Sequence, residues 1–241
     1  MTTRTITIKS EGDKALTGYL SLPPQGRGPG LLLLQEVYGT NADIRGLADL
    51  FASQGYVVLA PDVFFWRHAP DTIWAYADRD KAVAALNELG GAPQVAADIP
   101  AAWEALKALP EIDGPVGLLG FGFGGILGFG GTVGGALDPA FGLAYFPARL
   151  ALDQAGKITQ PWIFHFPEND AVAEDRLFAR TVDALKDKPG VEIHFYPEIG
   201  HGFAIPGRSE FDAAEAKRAH RRSFQFLSRH APVAGRETEA A

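Results

Sequence analysis

The chain contains no cysteine. This absence excludes a disulfide framework and any metal site that is built from thiolates. Histidine is also scarce, and no two histidines show the short spacing of a zinc site such as H-x-x-x-H. The sequence therefore predicts no metal site and no cofactor.

Long hydrophobic runs are absent as well. The longest apolar runs, such as Gly30–Leu34, are far too short to cross a bilayer. The N-terminal stretch MTTRTITIKSEGDKALTGYL lacks the apolar core of a signal peptide. We therefore expect a soluble, cytoplasmic protein that does not bind a membrane.

Positive charge is in short supply. The chain has 22 Lys and Arg against 29 Asp and Glu, which gives a formal net charge of −7. Phosphate binding needs clustered cations, so a nucleic-acid partner is not expected. The small basic cluster at 217–222 is typical of the solvated face of a late helix.

What the chain does have is a regular alternation of apolar runs and helical patterns. Gly30–Gln35 is typical of a buried parallel strand, and Asn41–Gln54 has a helical period that ends at Gly55. Two later helices are predicted at Asp80–Leu89 and Ala96–Leu109, with glycines and Pro93 between them. The alternation predicts an α/β fold with a mostly parallel central sheet and helices on both faces. Hydrophobic residues make up 46% of the chain, enough for one domain over residues 1–232, with a flexible tail at 233–241.

A glycine-rich turn follows the predicted strand Val116–Leu119. The sequence Gly120-Phe121-Gly122-Phe123-Gly124 has the glycine spacing of a nucleophile elbow, in which the central residue meets the substrate. The simpler interpretation is close packing of a helix on a strand. The spacing also fits G-x-G-x-x-G, but its mid-chain position and the missing acidic residue disfavour a dinucleotide site.

Asp170 and His201 complete a pattern with this turn. Asp170 ends an apolar strand and enters a polar loop, where it could orient a histidine or cap a helix. His201 lies between two glycines just after the predicted strand Val191–Tyr196. The order elbow, Asp, His is that of the α/β-hydrolases.

Glu36 directly follows a buried strand in the segment LQEVYG. It could be an exposed loop carboxylate. The loop after an early strand usually supplies an oxyanion-hole donor in this fold, which here would be the N–H of Val37. A carboxylate beside that donor would lie in the cleft.

Taken together, these motifs resemble the dienelactone hydrolase family over roughly residues 3 to 230. Gln35–Arg45 is similar to the family's QE-x-x-G-x-N-x-x-IR stretch, and Gly55–Asp62 to its GYVVLAPD. Gly120–Gly125 resembles the elbow G-[YF]-C-[LF]-G-G. The run from His165 to Asp170 resembles H-x-x-x-x-D, and Gly200–Phe203 resembles GH-x-F.

The resemblance implies an α/β-hydrolase that acts on esters or lactones with a Cys-His-Asp triad and a helper glutamate. Carried over to this chain, His201 is the base, Asp170 orients it and Glu36 is the helper. The N–H groups of Val37 and Phe123 would form the oxyanion hole. The nucleophile does not carry over, because Gly122 has no side chain.

The substrate pocket also departs from the family pattern. Family members hold the carboxylate of a dienelactone with arginines; Ile205 occupies one of those positions, Arg208 is displaced, and Arg79 could match the other. An anionic dienelactone is therefore not expected. The residues expected to contact a small-molecule substrate are Tyr38, Trp66, Arg79, Tyr145 and Phe203, although most such aromatics in a protein are core residues.

Several functions remain open without a thiol. A water molecule activated by His201 could attack an ester, or Glu36 and His201 could perform the acid–base work of an isomerase, cyclase or lyase. The chain could also bind a small molecule without catalysis, or Gly122 could be an introduced, inactivating substitution. A monomer and a homodimer are equally compatible with the sequence.

Overall fold

A computed structural model describes residues 2–67, 69 and 72–234. Within these residues eight strands form one sheet. They are β1 (Thr2–Glu11), β2 (Lys14–Leu22), β3 (Gly28–Leu34), β4 (Val57–Pro61), β5 (Ile112–Phe121), β6 (Gly142–Tyr145), β7 (Trp162–Asn169) and β8 (Val191–Gly200).

Six α-helices connect or follow these strands in the described part of the chain. They are α1 (Ala42–Ser53), α2 (Arg79–Glu88), α3 (Gly91–Lys107), α4 (Phe123–Val133), α5 (Leu177–Leu185) and α6 (Ala213–His230). Two short 3₁₀ turns lie at Tyr76–Asp78 and Leu152–Lys157.

The spatial order of the strands is β1-β2-β4-β3-β5-β6-β7-β8. The first two strands form a hairpin, and β2 pairs antiparallel with β4. From β4 to β8 all neighbouring strands are parallel. The carboxyl ends of these parallel strands therefore meet at one edge of the sheet, where loops can gather functional side chains.

The sheet is buried on both faces, and β3 explains how. Its leucines alternate between two hydrophobic cores: Leu32 and Leu34 pack with residues of α3 and α4, whereas Leu31 and Leu33 pack with residues of α1 and α6. A strand that is covered on both faces reads as a continuous apolar run, which is the pattern of LLLL in this segment. The predicted α/β class with helices on both faces is confirmed.

The largest departure from the predicted elements is the start of α3. The helix begins at Gly91 instead of Ala96, so that only two residues separate it from α2. Pro93 does not block this start, because a proline in the first turn of a helix removes an N–H that has no helical partner. A second departure is the end of β8, which lies at Gly200 and not at the predicted Tyr196.

The predicted tail at 233–241 lies outside the described residues from position 235 onward. No helix in the described part combines the length and apolarity needed to span a membrane.

Candidate active site

The turn between β5 and α4 is the centre of the site. Gly122 is the single residue between the two elements, with φ 51° and ψ −112°. Its N–H donates to the carbonyl of Tyr145 on the neighbouring strand, at 2.9 Å. The turn therefore has the geometry of an elbow, and it presents position 122 at the carboxyl edge of the sheet.

The flanking glycines are required by close packing. A β-carbon on Gly124 would lie 1.9 Å from the carbonyl oxygen of Leu34, and one on Gly120 would lie 2.5 Å from Cα of Gly125. No side chain fits at either position, so α4 can start directly against β3 and β5 only with glycine there.

Strand register places Glu36 opposite the turn. Leu34 of β3 pairs with Gly120 of β5, so the residues two positions further along each strand, Glu36 and Gly122, also lie side by side. A β-carbon on Gly122 would be 3.2 Å from both Cγ and Oε1 of Glu36. The carboxylate therefore lies against the position from which an elbow side chain would project.

Register also brings Asp170 and His201 together. Asn169 of β7 pairs with Gly200 of β8, and the next residue of each strand is the acid or the histidine. Nδ1 of His201 lies 2.8 Å from Oδ2 of Asp170. The other oxygen of Asp170 accepts the backbone N–H groups of Val172 and Ala173, at 2.9 and 3.0 Å. The carboxylate is thus held by the start of its own loop, and it orients the imidazole.

The second nitrogen of His201 faces Glu36. Nε2 is 3.6 Å from Oε1 of Glu36, and both side chains are buried. Burial lowers the pKa of His201, but the hydrogen bond to Asp170 and the nearby carboxylate of Glu36 outweigh it and raise the pKa to about 8. At neutral pH the imidazole is therefore mostly protonated, between two carboxylates.

Arg208 lies beside Glu36 and Tyr38 in the site. The sequence did not predict this position of its side chain. Its Nη1 donates to the hydroxyl of Tyr38 at 2.9 Å and lies 3.8 Å from Oε1 of Glu36. The guanidinium also stacks on the rings of Tyr38 and Tyr76. Arg208 is displaced in sequence from the position that Ile205 occupies, but the loop after His201 turns back at 202–208 and brings its side chain to Glu36.

A cavity of about 360 Å³ opens above these groups. Glu36, His201, Val37 and Phe123 line it together. As the first residue of α4, Phe123 has a backbone N–H without a partner inside the helix, as an oxyanion donor requires. The remaining lining comes from the loops and helices above the sheet edge: Tyr38, Arg79, Val83, Leu86, Asn87, Ala92, Ile126, Ala148, Arg149, Val172 and Glu174.

Of the five residues expected to contact substrate, only Tyr38 and Arg79 line this cavity. Trp66 is buried in a core and donates its indole N–H to Asp98 at 3.0 Å. The hydroxyl of Tyr145 faces Ser223 of α6, at 2.6 Å, on the far side of the sheet. Phe203 is fully buried, with its ring 4.9 Å from that of Tyr196.

The sequence favours an apolar pocket for Trp66, Tyr145 and Phe203, because aromatic side chains line many pockets. Their positions correct that assignment, since all three are packing residues of the cores. Arg149, which lines the cavity, was not singled out from the sequence, because an isolated arginine in a loop carries no recognisable pattern.

A wider groove of about 1390 Å³ runs between α1 and α6. Neither Glu36, Asp170 nor His201 lines it. The smaller cavity is therefore the candidate active site, because acid–base groups and the oxyanion-donor candidates line it.

Comparisons with known proteins agree with this architecture. The family model of the dienelactone hydrolase family matches residues 16–231. Carboxymethylenebutenolidase of a Pseudomonas species is 27% identical over 235 residues, which cover 97% of this chain and 98% of that enzyme. The same enzyme of Pseudomonas putida is 27% identical over 231 residues, which cover 95% of this chain and 97% of that one.

The fold is shared with solved structures. A dienelactone hydrolase-like promiscuous phosphotriesterase from metagenomic libraries superposes with a TM-score of 0.78 at 22% identity, over 95% of this chain and 98% of that chain. The match confirms the α/β-hydrolase fold. The chain belongs to the dienelactone hydrolase family, and with that membership it is a hydrolase of the class that acts on carboxylic esters or lactones.

Proposed function

We propose that the chain hydrolyses a small ester or lactone in the cavity above Gly122, with water as the nucleophile. His201, Asp170 and Glu36 are its acid–base groups, and the N–H groups of Val37 and Phe123 bind the developing oxyanion. The observation that carries the proposal is the contact of Glu36 with both His201 and the position of a β-carbon at 122. These contacts support the proposal, because they bring acid–base groups to the place where a side-chain nucleophile would act.

The energetics are compatible with slow turnover. General acid–base catalysis is typically worth roughly 10²- to 10⁴-fold, and an oxyanion-hole donor roughly 10²- to 10³-fold. Subtilisin that has lost its whole triad still accelerates hydrolysis by roughly 10³- to 10⁴-fold over water, through its oxyanion hole and substrate binding. A site that lacks only the nucleophile can therefore still accelerate hydrolysis.

The pocket favours a compact substrate. A volume of about 360 Å³ accommodates a small molecule and not a polymer. The two relatives compared above are carboxymethylenebutenolidases, a name that denotes action on a butenolide, which is a lactone. Their name supports the same substrate class here.

The test is hydrolysis of a small alkyl ester and a small lactone by the unmodified chain, His201→Ala, Glu36→Gln and Gly122→Cys. We expect turnover by the unmodified chain and a loss of at least about 10²-fold in each of the first two variants. Acid-quenched samples, weighed intact by mass spectrometry, should show no acyl adduct except in Gly122→Cys. If Gly122→Cys alone turns over, water activation is not the function of this site.

A further inference from the structure

The two acid–base groups of the site are not equivalent in position. Oε1 of Glu36 lies 3.2 Å from the place of a β-carbon at Gly122, next to where an attacking atom must be. Its Oε2 is buried and accepts no hydrogen bond from the described residues. A buried carboxylate with unused lone pairs, at the point of attack, is placed to accept a proton.

His201 is placed to give one. Its Nδ1 contacts the Asp170 carboxylate at 2.8 Å, and its Nε2 faces the Glu36 carboxylate at 3.6 Å. The other charged groups nearby are Arg208 and Glu210. Nη1 of Arg208 lies 3.8 Å from Oε1 of Glu36, its Nη2 donates to the backbone oxygen of His201, and its Nε lies 3.5 Å from the Glu210 carboxylate. Two carboxylates in direct contact stabilise the imidazolium, which has no lone pair for a proton from water.

We infer that Glu36 is the general base of this site and that His201, as an imidazolium, is its general acid. This inference rests on the proposed hydrolysis and assigns the roles within it. It reverses the role of His201 that the family resemblance implies.

The chemical step balances without a further reactant. The oxygen of water forms a bond with the acyl carbon, and one of its protons moves to Oε1 of Glu36. The bond between the acyl carbon and the leaving oxygen breaks, and the proton on Nε2 of His201 moves to that oxygen. The products are an acid and an alcohol, or one hydroxy acid when the substrate is a lactone.

The same geometry explains how the site is reset. After the step Glu36 is protonated and His201 is neutral, and the two groups face each other across 3.6 Å. Transfer of the proton from Oε1 back to Nε2 restores the starting state. No exchange of protons between these two groups and bulk solvent is needed before the next turnover.

The first test is the pH dependence of kcat/KM for a neutral alkyl ester between about pH 6 and pH 10. Because the pKa of His201 is raised to about 8, an acid at this position loses activity as the pH rises through that value. A base would gain activity over the same range. We expect a tenfold fall per pH unit on the alkaline side; a rise through pH 8, or no change, overturns the assignment.

The second test is the leaving group, which separates these roles even if two protonation schemes give the same pH profile. Aryl and alkyl esters of one acid are compared. An aryl oxide leaves without a proton, so His201→Ala should cost less than about tenfold for the aryl ester and roughly 10²- to 10⁴-fold for the alkyl ester. Glu36→Gln should slow both esters equally, because both require activated water.

His230→Ala is the control, since His230 lies at the end of α6 and does not line the cavity. Circular dichroism of each variant confirms folding, and a series of esters on the unmodified chain gives the leaving-group dependence without any substitution. Equal losses for both esters in His201→Ala overturn the inference but leave the proposed hydrolysis standing. Absence of all hydrolysis by the unmodified chain overturns both.

Discussion

A β-carbon on Gly122 would lie 3.2 Å from Oε1 of Glu36. This is tighter than an ordinary van der Waals contact, so a side chain at position 122 requires the Glu36 carboxylate to shift by a few tenths of an ångström. The turn residue and the acid therefore share one small volume.

The first prediction concerns Gly122→Ala. We expect a loss of roughly 1–3 kcal/mol in the free energy of unfolding, because φ is 51° and the new methyl group crowds Glu36. Ester hydrolysis should fall as well, since the carboxylate moves away from the point of attack. Chemical denaturation and initial rates measure the two effects.

Gly12→Ala separates backbone strain from crowding. Gly12 has a similar φ of 63°, but a β-carbon there meets nothing within 4 Å. It should lose less stability than Gly122→Ala, because only the backbone strain applies there, and its activity should be unchanged. Full activity in Gly122→Ala would contradict the importance of the Glu36 position.

The second prediction concerns Asp170→Asn. The loss of the negative charge removes one of the two carboxylates that raise the pKa of His201. The alkaline limb of the pH–rate profile should therefore move to lower pH, and activity at pH 7.5 should fall by at least about tenfold. The asparagine oxygen can still accept from Val172 and Ala173, so the loop should keep its shape.

Asp212→Asn is the matched control for this variant. Asp212 caps α6 by accepting the N–H of Glu215, and asparagine caps a helix equally well. Its pH profile should equal that of the unmodified chain. An unshifted limb in Asp170→Asn would show that Asp170 does not hold the proton on His201.

The third prediction is a dependence of stability on pH. The folded-state pKa of His201 is raised from 6.5 to about 8, so its contribution is fully present below pH 6.5 and is lost as the pH rises through 8. The pKa values of His165, His194, His220 and His230 are all lowered, so these groups titrate below that window in the folded protein.

The size of this effect is on the order of 2 kcal/mol, at 1.36 kcal/mol for each unit of pKa. Urea denaturation at pH 6 and at pH 9.5 should show it as a difference between the unmodified chain and His201→Gln. That difference should shrink with rising pH; a difference that is equal at both values would mean that the two carboxylates do not stabilise the imidazolium.

The sequence predicts those parts of the site in which a functional residue directly follows one recognisable strand. The glycine spacing at 120–124 and the order of Asp170 and His201 are local patterns, and each followed a recognisable apolar strand. Parallel strands end at one edge of a sheet, so residues just after them converge. Their distances became visible only with the register of β3 on β5 and of β7 on β8.

The rest depended on non-local packing. The turn at 202–208 brings the side chain of Arg208 to Glu36, and the hydrophobic periodicity of the sequence does not predict the path of such a turn. Trp66, Tyr145 and Phe203 are residue types that often line pockets, but all three lie in the cores. The sequence cannot distinguish the two places, because burial stabilises an aromatic ring in either of them. The sequence predicts too late a start for α3 because the glycines and Pro93 favour a break there, whereas a proline in the first turn of a helix removes an N–H that has no helical partner.

The fourth prediction tests the packing that builds the elbow. Gly124→Ala places a methyl group 1.9 Å from the carbonyl oxygen of Leu34, and a backbone atom cannot move aside as a flexible side chain can. We expect a loss of about 3 kcal/mol or more in the free energy of unfolding. Gly130→Ala, in the same helix, meets nothing within 4 Å and should instead stabilise the protein by up to about 1 kcal/mol. Thermal unfolding of the two variants should therefore shift in opposite directions, and equal shifts would contradict the close approach of α4 to β3.

The fifth prediction concerns a buried hydrogen-bond network behind the elbow. Ser223 of α6 contacts the hydroxyl of Tyr145 at 2.6 Å and Nε2 of His165 at 2.9 Å, and all three residues are fully buried. Tyr145 also supplies the carbonyl that accepts the N–H of Gly122, so the network anchors the strand end that holds the turn. Ser223→Ala removes a partner from both the phenol and the imidazole.

The cost of Ser223→Ala should be roughly 1–3 kcal/mol, because Nε2 of His165 is then buried without its partner and keeps its full desolvation penalty, whereas the hydroxyl of Tyr145 still contacts Nδ1 of His220 at 3.0 Å. Ser228→Ala is the control in the same helix: its hydroxyl bonds only the carbonyl of Gln225, and its loss should change stability by less than about 0.5 kcal/mol. Urea denaturation measures both. Because the network reaches the elbow only through the backbone of Tyr145, Ser223→Ala should lower kcat for the alkyl ester without moving the pH limb that belongs to His201. A shift of the alkaline limb of the pH–rate profile would instead show that the network changes the pKa of His201.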